Sequence, residues 1–453
     1  MKTKVDMTHG PMGRKTLTFA LFLGATGLLQ QLFNAIDTVI MGQFVGKEAM
    51  AAVGSNAPIV GLIVTFFIGI SLGSNVVIAQ FTGKKDEAGV SSAVHTSVLF
   101  AFVGGLVMTV IGECIAEPLL DLLQVPEDIL GLALKYLKII FLAMPGILMY
   151  NFTSAIFRSQ GDTRTPLMCL LISGCIKVVI SYVLVVHFGF DVGAVAISTM
   201  CATILSSLML LALLVHTKMA IRLHWRKLSI HWGLLKEILR IGSPAGLQSA
   251  VFCLSNIVIQ AAINSLGTDV VAASAAAFNL EILAYIFVNA FGQTCTTFVG
   301  QNYGAGDFKR CRKVGIITSL QNLGVTVVIC SVILYFGVPL LQLFNEDAAV
   351  VAYGVIRLKY ILYAEPLNLV IEMISGFMRG FGKSLGPALI VCGGICGSRL
   401  LYVFTVFAAY PSFDCLMAGY PLSWLITAVG LSVLLFVTRK KYGKSNEKLG
   451  MRN

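Results

Sequence analysis

Two ionisable residues lie inside apolar stretches, where a charge is unfavourable. Asp37 lies in QLFNAIDTVIMGQF, with no basic residue nearby, and Lys177 lies in CLLISGCIKVVISYVLVV. At bilayer depth an ionised side chain costs at least roughly 2.5–3.5 kcal/mol, so an intramembrane acid is a functional candidate by default. We expect Asp37 to face the protein interior; the alternative is a structural hydrogen bond to a neighbouring helix.

The surroundings of Asp37 predict a cation-coupling site. Asn34 precedes it by three residues on the same helix face, from where its amide could donate to the carboxylate. We expect burial to bring this carboxyl into the range in which it exchanges protons. Lys177 needs a carboxylate or water, so an ion pair with Asp37 is one solution, and snorkelling of the lysine to the interface is the other.

Polar residues also occur on two apolar stretches of the second half. We predict that a substrate cavity is lined by Glu281, Asn279, Tyr285, Asn289, Gln293, Asn368 and Glu372. Glu281 is the strongest of these candidates because amides and a tyrosine are distributed along its own helix, although an interhelical hydrogen bond would also explain it. Glu365 precedes Pro366 and is expected to satisfy a kinked backbone.

The elements that carry these residues have the composition of a membrane protein. Apolar residues make up 57% of the chain and charged residues 12%, and the mean hydropathy is +0.85. About 20 apolar residues are needed to cross a bilayer. Stretches of this kind lie at 17–41, 52–79, 92–115, 132–157, 166–188, 192–215, 238–265, 270–299, 314–337, 352–378, 385–409 and 416–437. The sequence therefore predicts an all-α integral membrane protein with twelve transmembrane helices.

The two halves of the chain repeat one pattern at an offset of 221 positions. The matched residues are Gln80, Gly83 and Asp86 with Gln301, Gly304 and Asp307; Pro145 with Pro366; and Arg158, Gly161 and Pro166 with Arg379, Gly382 and Pro387. Each half holds six spans, an even number, so the halves share one orientation and form parallel repeats. We expect an N-terminal six-helix lobe at 1–215, a cytoplasmic linker at 216–237, a C-terminal six-helix lobe at 238–437 and a basic cytoplasmic tail at 438–453.

The basic residues predict the orientation. Of the 33 lysines and arginines, 26 fall in the termini and in the loops on the same side of the membrane as the termini. The positive-inside rule therefore places both termini in the cytoplasm, with the chain in the inner or plasma membrane. The same pattern explains the net charge of +11 without a nucleic-acid partner. In the linker, Trp225 and Trp232 among basic residues predict a helix lying in the cytoplasmic interface.

Neither enzyme chemistry nor a cofactor is expected. The 11 cysteines form no CxxC pair, and Cys392 and Cys396 share a helix face without a histidine or acid nearby, so we expect packing roles and no metal site. No catalytic residue is assigned. The chain has no phosphate-binding loop and no dinucleotide fingerprint. Energy should therefore come from an ion gradient or from a partner.

Several segments resemble the multidrug and toxic compound extrusion (MATE) family, which belongs to a larger superfamily of flippase-like exporters. They are AIDTVIMGQFVGKEAMAAVG, the paired loops AQFTGKKD and VGQNYGAG, the loops FRSQGDTRTP and MRGFGKSLGP, and the AEP of the tenth span. The resemblance covers nearly the whole chain. It implies a V-shaped carrier that exports amphipathic, often cationic, small molecules in exchange for H⁺ or Na⁺ by rocker-type alternating access.

The resemblance also bears on the coupling site. Asp37 matches the family's first-helix acid, which is linked to cation coupling, and Asn151 matches its asparagine in helix four. The family's Asn-x-x-x-Asp of helix five is replaced by Lys177 and Ser181, and the segment AGLQSAVFCLSN after Pro244 lacks the acid of one branch. These departures weaken a sodium assignment, so we favour H⁺ as the coupling ion.

Two other functions compete with drug efflux. A lipid-linked precursor flippase of the same superfamily would need a strongly cationic cavity, but intramembrane basic residues are few, chiefly Lys177 and Arg399. A membrane enzyme or sensor would need clustered reactive residues, whereas His95, His187 and His216 are scattered. We therefore expect an antiporter that acts as a monomer, with small molecules, the coupling ion and membrane lipid as its partners.

Overall fold

The computed structural model describes residues 6–123 and 125–448, with side chains described up to residue 438. This part of the chain is helical and contains no strand. The helices are α1 (Met12–Ile40), α2 (Lys47–Lys84), α3 (Glu87–Leu122), α4 (Glu127–Leu142), α5 (Met144–Ser159), α6 (Arg164–Val186), α7 (Gly193–His216), α8 (Trp232–Asn264), α9 (Thr268–Gly304), α10 (Phe308–Tyr335), α11 (Gly337–Gln342), α12 (Ala348–Gly380), α13 (Leu385–Val391), α14 (Ser398–Tyr402) and α15 (Phe413–Lys448). The predicted tail at 438–453 is helical to Lys448, and residues 449–453 lie outside the described part.

The helices confirm an all-helical membrane protein. In the described residues, eleven helical spans are long and apolar enough to cross a bilayer, and the bent pair α4–α5 brings the number to twelve if it counts as one span. One of the eleven, Leu385–Phe407, consists of α13 and α14 with π-helical turns at Cys392–Gly397 and Val403–Phe407. A third π-helical turn, Met41–Val45, follows α1. Such turns insert an extra residue into the helix and often occur at functional sites.

The 221-residue repeat extends to individual hydrogen bonds. The Asp86 carboxylate caps α3 by accepting from the backbone N–H of Gly89 at 2.8 Å, and Asp307 caps α10 through Arg310 at the same distance. In the same way, Asn75 donates from α2 to the carbonyl of Ala155, and Thr296 donates from α9 to that of Gly376, both at 3.0 Å. Equivalent positions in the two halves thus make equivalent contacts between helices.

The predicted span 132–157 is bent in the structure. The axes of α4 and α5 differ by 47° at a break beside Pro145. Proline has no N–H to donate to the carbonyl of Phe141, and the hydroxyl of Thr109 on α3 donates to that carbonyl at 2.7 Å instead. The equivalent Pro366 lies within the continuous helix α12. The same residue therefore breaks a helix in one half and is accommodated in the other.

The predicted interfacial helix in the linker is wrong. After α7 the chain forms only the 3₁₀ turn Trp225–Lys227 before α8 begins at Trp232. Ile221 and Leu223 are both buried, which is the two-residue alternation of an extended segment. The backbone N–H of Leu223 donates to the carbonyl of Leu214, so pairing with α7 replaces the hydrogen bonds of a helix.

The chain forms two compact units. The first comprises residues up to Gly10, Leu21–Ala250 and Gly304–Gly306. In its core, α5 is buried along nearly its whole length among α2, α3 and α7. Gly69 and Gly73 of α2 lie directly against Gly242 and Gly246 of α8, where any added Cβ would collide with backbone atoms. Small residues four apart allow this close helix packing.

The second unit comprises Pro11–Ala20, Val251–Tyr303 and the residues from Asp307 onward. Here α12 packs against α10 and α15. One apolar cluster joins α12 to the middle of α15 around Met417 and Leu431, and another joins α9 to α10 and α12 around Ala277 and Ile333. These packed helices hold the polar residues of the second half.

Candidate functional site

A buried ion pair joins α1 to α6 in the first unit. Nζ of Lys177 lies 2.5 Å from Oδ2 of Asp37, and each side chain is 9% exposed. The two residues are 140 positions apart in the chain. The sequence left two possibilities for Lys177, an ion pair with Asp37 and snorkelling to the interface. The structure contains the ion pair.

Close packing of the two helices brings the charges together. The ring of Phe33 on α1 lies against Gly174 on α6, where a Cβ would overlap the ring. Asp37 follows Phe33 by one helical turn, and Lys177 follows Gly174 by slightly less than one turn, so both point into the same contact. A glycine that the sequence did not single out thus positions the ion pair.

The other carboxylate oxygen of Asp37 is also buried. Within the described residues, Asp37 Oδ1 has no hydrogen-bond partner. The predicted hydrogen bond from Asn34 is not formed, and that side chain is exposed. Phe33, Asp37 and Ile40 form the buried stripe of α1, and Asn34, which is rotated by about 100° from Phe33, lies outside that stripe.

Two further polar groups lie near the pair. Tyr136 on α4 lies close to Asp37. On α6, Ser181 lies one turn beyond Lys177, and its buried hydroxyl has no hydrogen-bond partner in the described part of the chain. By contrast, the amide of Asn151 donates at 2.8 Å to the carbonyl of Ile147 in its own helix, so it does not join this network through that bond.

In the second unit, Glu281 forms a buried interhelical ion pair. Its two carboxylate oxygens accept from Nε and Nη2 of Arg357 on α12, at 3.1 and 2.6 Å. This bidentate arrangement is among the strong charge-assisted contacts in proteins. The carboxylate is therefore engaged between helices, as in the alternative considered from the sequence, and Arg357 is a partner that the sequence did not indicate.

Other predicted cavity residues fall into two groups. Asn279 is exposed and donates to the carbonyl of Ala275, while Gln293 donates to Asn289 at 2.7 Å on the same helix. Tyr285 is half-buried and stacks on Phe252, with ring centroids 6.3 Å apart. All of these side chains are partly accessible, as a cavity lining requires.

The second group lies on α12, where Asn368 is buried and Glu372 is half-buried. Asn368 donates to Glu365 at 2.8 Å on the same helix. This side-chain hydrogen bond differs from the backbone role that the sequence suggested for Glu365. Glu372 lies against Gly292 of α9 and interacts electrostatically with Arg379. Tyr285 of the first group lies near Glu372, so the two groups meet where α9 packs against α12.

The sequence and fold were compared with known proteins. The MatE family model matches residues 23–183 and 244–405, that is, both halves of the repeat. The chain is 27% identical over 443 residues to the "Probable multidrug resistance protein YoeA" of Bacillus subtilis, covering 94% of each chain. It is 26% identical over 404 residues to the "Probable multidrug resistance protein NorM" of Thermotoga maritima, covering 87% of this chain and 85% of that one.

A solved structure shares the fold across nearly the whole chain. It is described as the "outward-facing conformation of a multidrug resistance MATE family transporter of the MOP superfamily". The TM-score is 0.88 at 18% sequence identity, with 98% of this chain and 99% of that chain covered. The predicted fold class is thereby confirmed.

Proposed function

This chain belongs to the MATE (MatE) family of membrane transporters, and on that basis we propose that it is a multidrug efflux antiporter that exchanges amphipathic small molecules for protons by rocker-type alternating access. It is a transporter and not an enzyme. The observation that carries the proposal is the buried contact between Asp37 and Lys177. In this proposal Asp37 is the coupling acid and Lys177 its internal counter-ion.

Protonation of Asp37 changes the net charge of the pair from zero to +1. When Asp37 is ionised, the ammonium group of Lys177 is neutralised inside the unit, as a buried charge requires. When Asp37 takes up a proton, Lys177 becomes an unpaired cation at bilayer depth, which is unfavourable. Protonation therefore favours a different conformation, and such a differential effect is what ion coupling requires.

The same geometry disfavours sodium at Asp37. The ammonium group already lies 2.5 Å from the carboxylate. A second monovalent cation about 4 Å from the ammonium group would be repelled by about 4 kcal/mol at an effective dielectric constant of 20. A proton joins the carboxylate covalently and removes its charge, so it avoids this repulsion. Both the pair and the lack of an acid in the segment after Pro244 thus favour H⁺.

Substrate binding would compete for the same charge. An amphipathic cation that reaches Asp37 must displace either a proton or Lys177, so the binding of proton and substrate becomes mutually exclusive. We propose that Asn279, Tyr285, Asn289 and Gln293 contribute to the substrate cavity because their side chains are partly accessible. A ligand with apolar surface and a few polar groups suits such a lining.

The proposal is tested by transport in proteoliposomes. Efflux of a fluorescent lipophilic cation is measured under an imposed pH gradient and, separately, under an imposed sodium gradient. Asp37→Asn removes the coupling carboxyl while keeping the size of the side chain. Glu117→Gln is the matched control because Glu117 is an exposed acid of the same unit.

We expect efflux driven by the pH gradient, abolished in Asp37→Asn and retained in Glu117→Gln. Efflux driven by sodium alone would contradict proton coupling through Asp37. No efflux under either gradient would contradict the antiporter proposal and favour the lipid-linked precursor flippase.

We also propose that both termini are cytoplasmic and that the chain acts as a monomer. The distribution of basic residues supports the orientation. In a background from which the 11 native cysteines have been removed, labelling of a single cysteine placed at Lys84 or Lys309 by a membrane-impermeant reagent should require permeabilised cells. Labelling at both positions in intact cells would contradict this orientation and place these loops outside the cell.

A further inference from the structure

Arg399 is a buried cation that has no carboxylate partner among the described residues. It lies on α14 between the two π-helical turns, and it is 1% exposed. Nε donates to the hydroxyl of Ser423 at 3.1 Å, and Nη1 donates to the side-chain oxygen of Asn256 at 3.3 Å. Both acceptors are uncharged. A buried arginine is normally paired with an anion, because desolvating its charge is costly.

Two neighbouring hydrogen-bond donors, one on Arg399 and one on Trp424, have no acceptor among the described residues. In the described part of the chain, Arg399 Nη2 and Trp424 Nε1 are both buried without a hydrogen-bond partner. The guanidinium carbon lies 5.9 Å from the ring of Trp424, so the two donors belong to one cluster. A buried donor without a partner costs about 1–3 kcal/mol, and more when it is charged. The two donors are positioned to serve one acceptor group.

The charged groups around Arg399 leave a net positive charge. The charged groups that interact with Arg399 are Glu281 and Arg357, and Glu281 already binds Arg357 in a bidentate pair. The cluster therefore has two cations and one anion. The rings of Tyr420 and Phe252 lie 4.3 and 5.6 Å from the guanidinium carbon and offset its charge in part. The side-chain hydrogen bonds of Arg399 within the described residues go to Ser423 and Asn256, and not to these rings.

The equivalent positions of the first unit hold an acid that the second unit lacks. In the first unit, Lys177 on α6 is paired with Asp37 from α1. At the 221-residue offset, Ser398 corresponds to Lys177, one position before Arg399, and Val258 on α8 corresponds to Asp37. The second unit thus has the intramembrane cation without the acid from the matching helix, and the neutral Asn256 of α8 contacts the arginine instead.

We propose that Arg399, with Trp424 and Asn256, forms a binding site for the carboxylate or phosphate group of an amphipathic anion. The fork of Nη1 and Nη2 matches the two oxygens of such a group, and the indole N–H supplies a further donor. Phe252 and Tyr420 present aromatic surface to the apolar part of the ligand. Asn256 and Phe252 are only half-buried and lie on the accessible side of the cluster. The site extends the substrate class of the proposed transporter to anionic and zwitterionic amphiphiles and rests on that function only for the transport of the ligand.

The site provides its own fluorescent reporter. The chain has three tryptophans, and Trp225 and Trp232 are exposed in and beside the linker. In a Trp225→Phe/Trp232→Phe background, the fluorescence of Trp424 reports this cluster alone. The probe is pyrenebutyrate, and its uncharged methyl ester measures binding of the apolar part. Binding is recorded with the full chain in phosphatidylcholine nanodiscs, without an ion gradient.

We expect the carboxylate to quench Trp424 with at least tenfold higher affinity than the ester. Arg399→Gln should remove that preference, and Arg399→Lys should restore it in part because the charge returns without the fork. Lys359→Gln is the control, since it removes an exposed positive charge from the same unit. Glu281→Gln should raise the affinity for the carboxylate because it increases the net positive charge. Monodisperse elution and thermal unfolding establish that each variant is folded.

Equal affinity of the parent for the carboxylate and the ester, or an unchanged preference in folded Arg399→Gln, would overturn the proposal. Phosphatidylglycerol nanodiscs and added inorganic phosphate distinguish the sources of the anion. Competition by phosphatidylglycerol supports the anion site and identifies a lipid headgroup as an occupant, while competition by phosphate alone identifies a soluble group. Loss of gradient-driven efflux with intact probe binding would overturn the transport proposal and leave this site standing.

Discussion

The ring of Phe33 on α1 packs directly against the Cα of Gly174 on α6. About one turn further along the same two helices, Asp37 forms an ion pair with Lys177. The absence of one side chain at Gly174 therefore sets the separation at which a buried ion pair forms. This dependence of a charged contact on a steric one leads to the first prediction.

Gly174→Ala should weaken the contact between α1 and α6. The added methyl group overlaps the Phe33 ring, which must move, and overpacking of this kind costs about 1–3 kcal/mol. We expect a lower thermal stability in detergent and reduced efflux. Gly61→Ala in α2 is the control because nothing lies within 4 Å of its added Cβ, so alanine there should be neutral or stabilising. Adding Phe33→Leu should restore part of the loss, and equal stability of the two glycine variants would contradict the steric argument.

Asp37 and Lys177 should be strongly coupled in a double-mutant cycle. Asp37→Leu or Lys177→Met alone leaves its partner as an unpaired buried charge, which costs roughly 3–5 kcal/mol. The double variant removes both charges and should recover most of the lost stability, so the two effects should not add. Thermal unfolding of the three variants measures the coupling. Additive losses would show that the two side chains do not depend on each other.

The hydroxyl of Thr109 should stabilise the bend between α4 and α5. It donates to the carbonyl of Phe141, which Pro145 leaves without its helical donor. Thr109→Val keeps the shape and removes the donor, and we expect a loss of roughly 0.5–1.5 kcal/mol in unfolding experiments. Thr405→Val is the comparison because its exposed hydroxyl bonds only within its own helix, to Leu401. A larger loss at Thr405 than at Thr109 would contradict this role.

Docking of the linker should weaken on acidification. The backbone N–H of His224 donates to Nε2 of His95 at 3.0 Å. Desolvation, followed by the nearby charges of Arg222 and Lys227, lowers the pKa of His224 below its ordinary value of 6.5. The docked linker therefore binds fewer protons than the undocked one just below pH 6.5. Its stability is complete above that pH and falls as the pH drops toward the lowered pKa.

Hydrogen exchange of the linker amides at pH 7.5 and 5.5, corrected for the intrinsic rates, measures this dependence. Faster corrected exchange at pH 5.5 is expected in the parent, and His224→Asn should reduce the change. His216→Asn provides the control because its side chain bonds to Ala212 at the end of α7 and not to the His95 contact. A change that is independent of His224 would assign the effect to another group.

Local sequence patterns identify some residues of the site but not all of their contacts. Asp37 and Lys177 were recognisable from the sequence because a charge inside an apolar stretch stands out regardless of its partners. The predicted hydrogen bond from Asn34 to Asp37 is not formed, because helical spacing alone does not give the rotation of a helix against its neighbours. Glu281 was noticed for its own helix, but its carboxylate is engaged by Arg357, 76 positions later on α12. Nothing near Arg399 in the sequence distinguishes it from the other intramembrane basic residues.

The sequence by itself determined the elements and their repetition. Apolar length sets each span, and aspartate caps, glycines and prolines act within a few residues, so the two halves could be matched at one offset. Only the tertiary structure decided which side chains meet. Three features depend on how helices distant in the chain rotate and approach: the contact of Asp37 with Lys177, the extended linker, and Nη2 of Arg399, which has no acceptor among the described residues. Packing at residues such as Gly174 sets that approach, and the hydrophobic pattern of a single helix does not contain it.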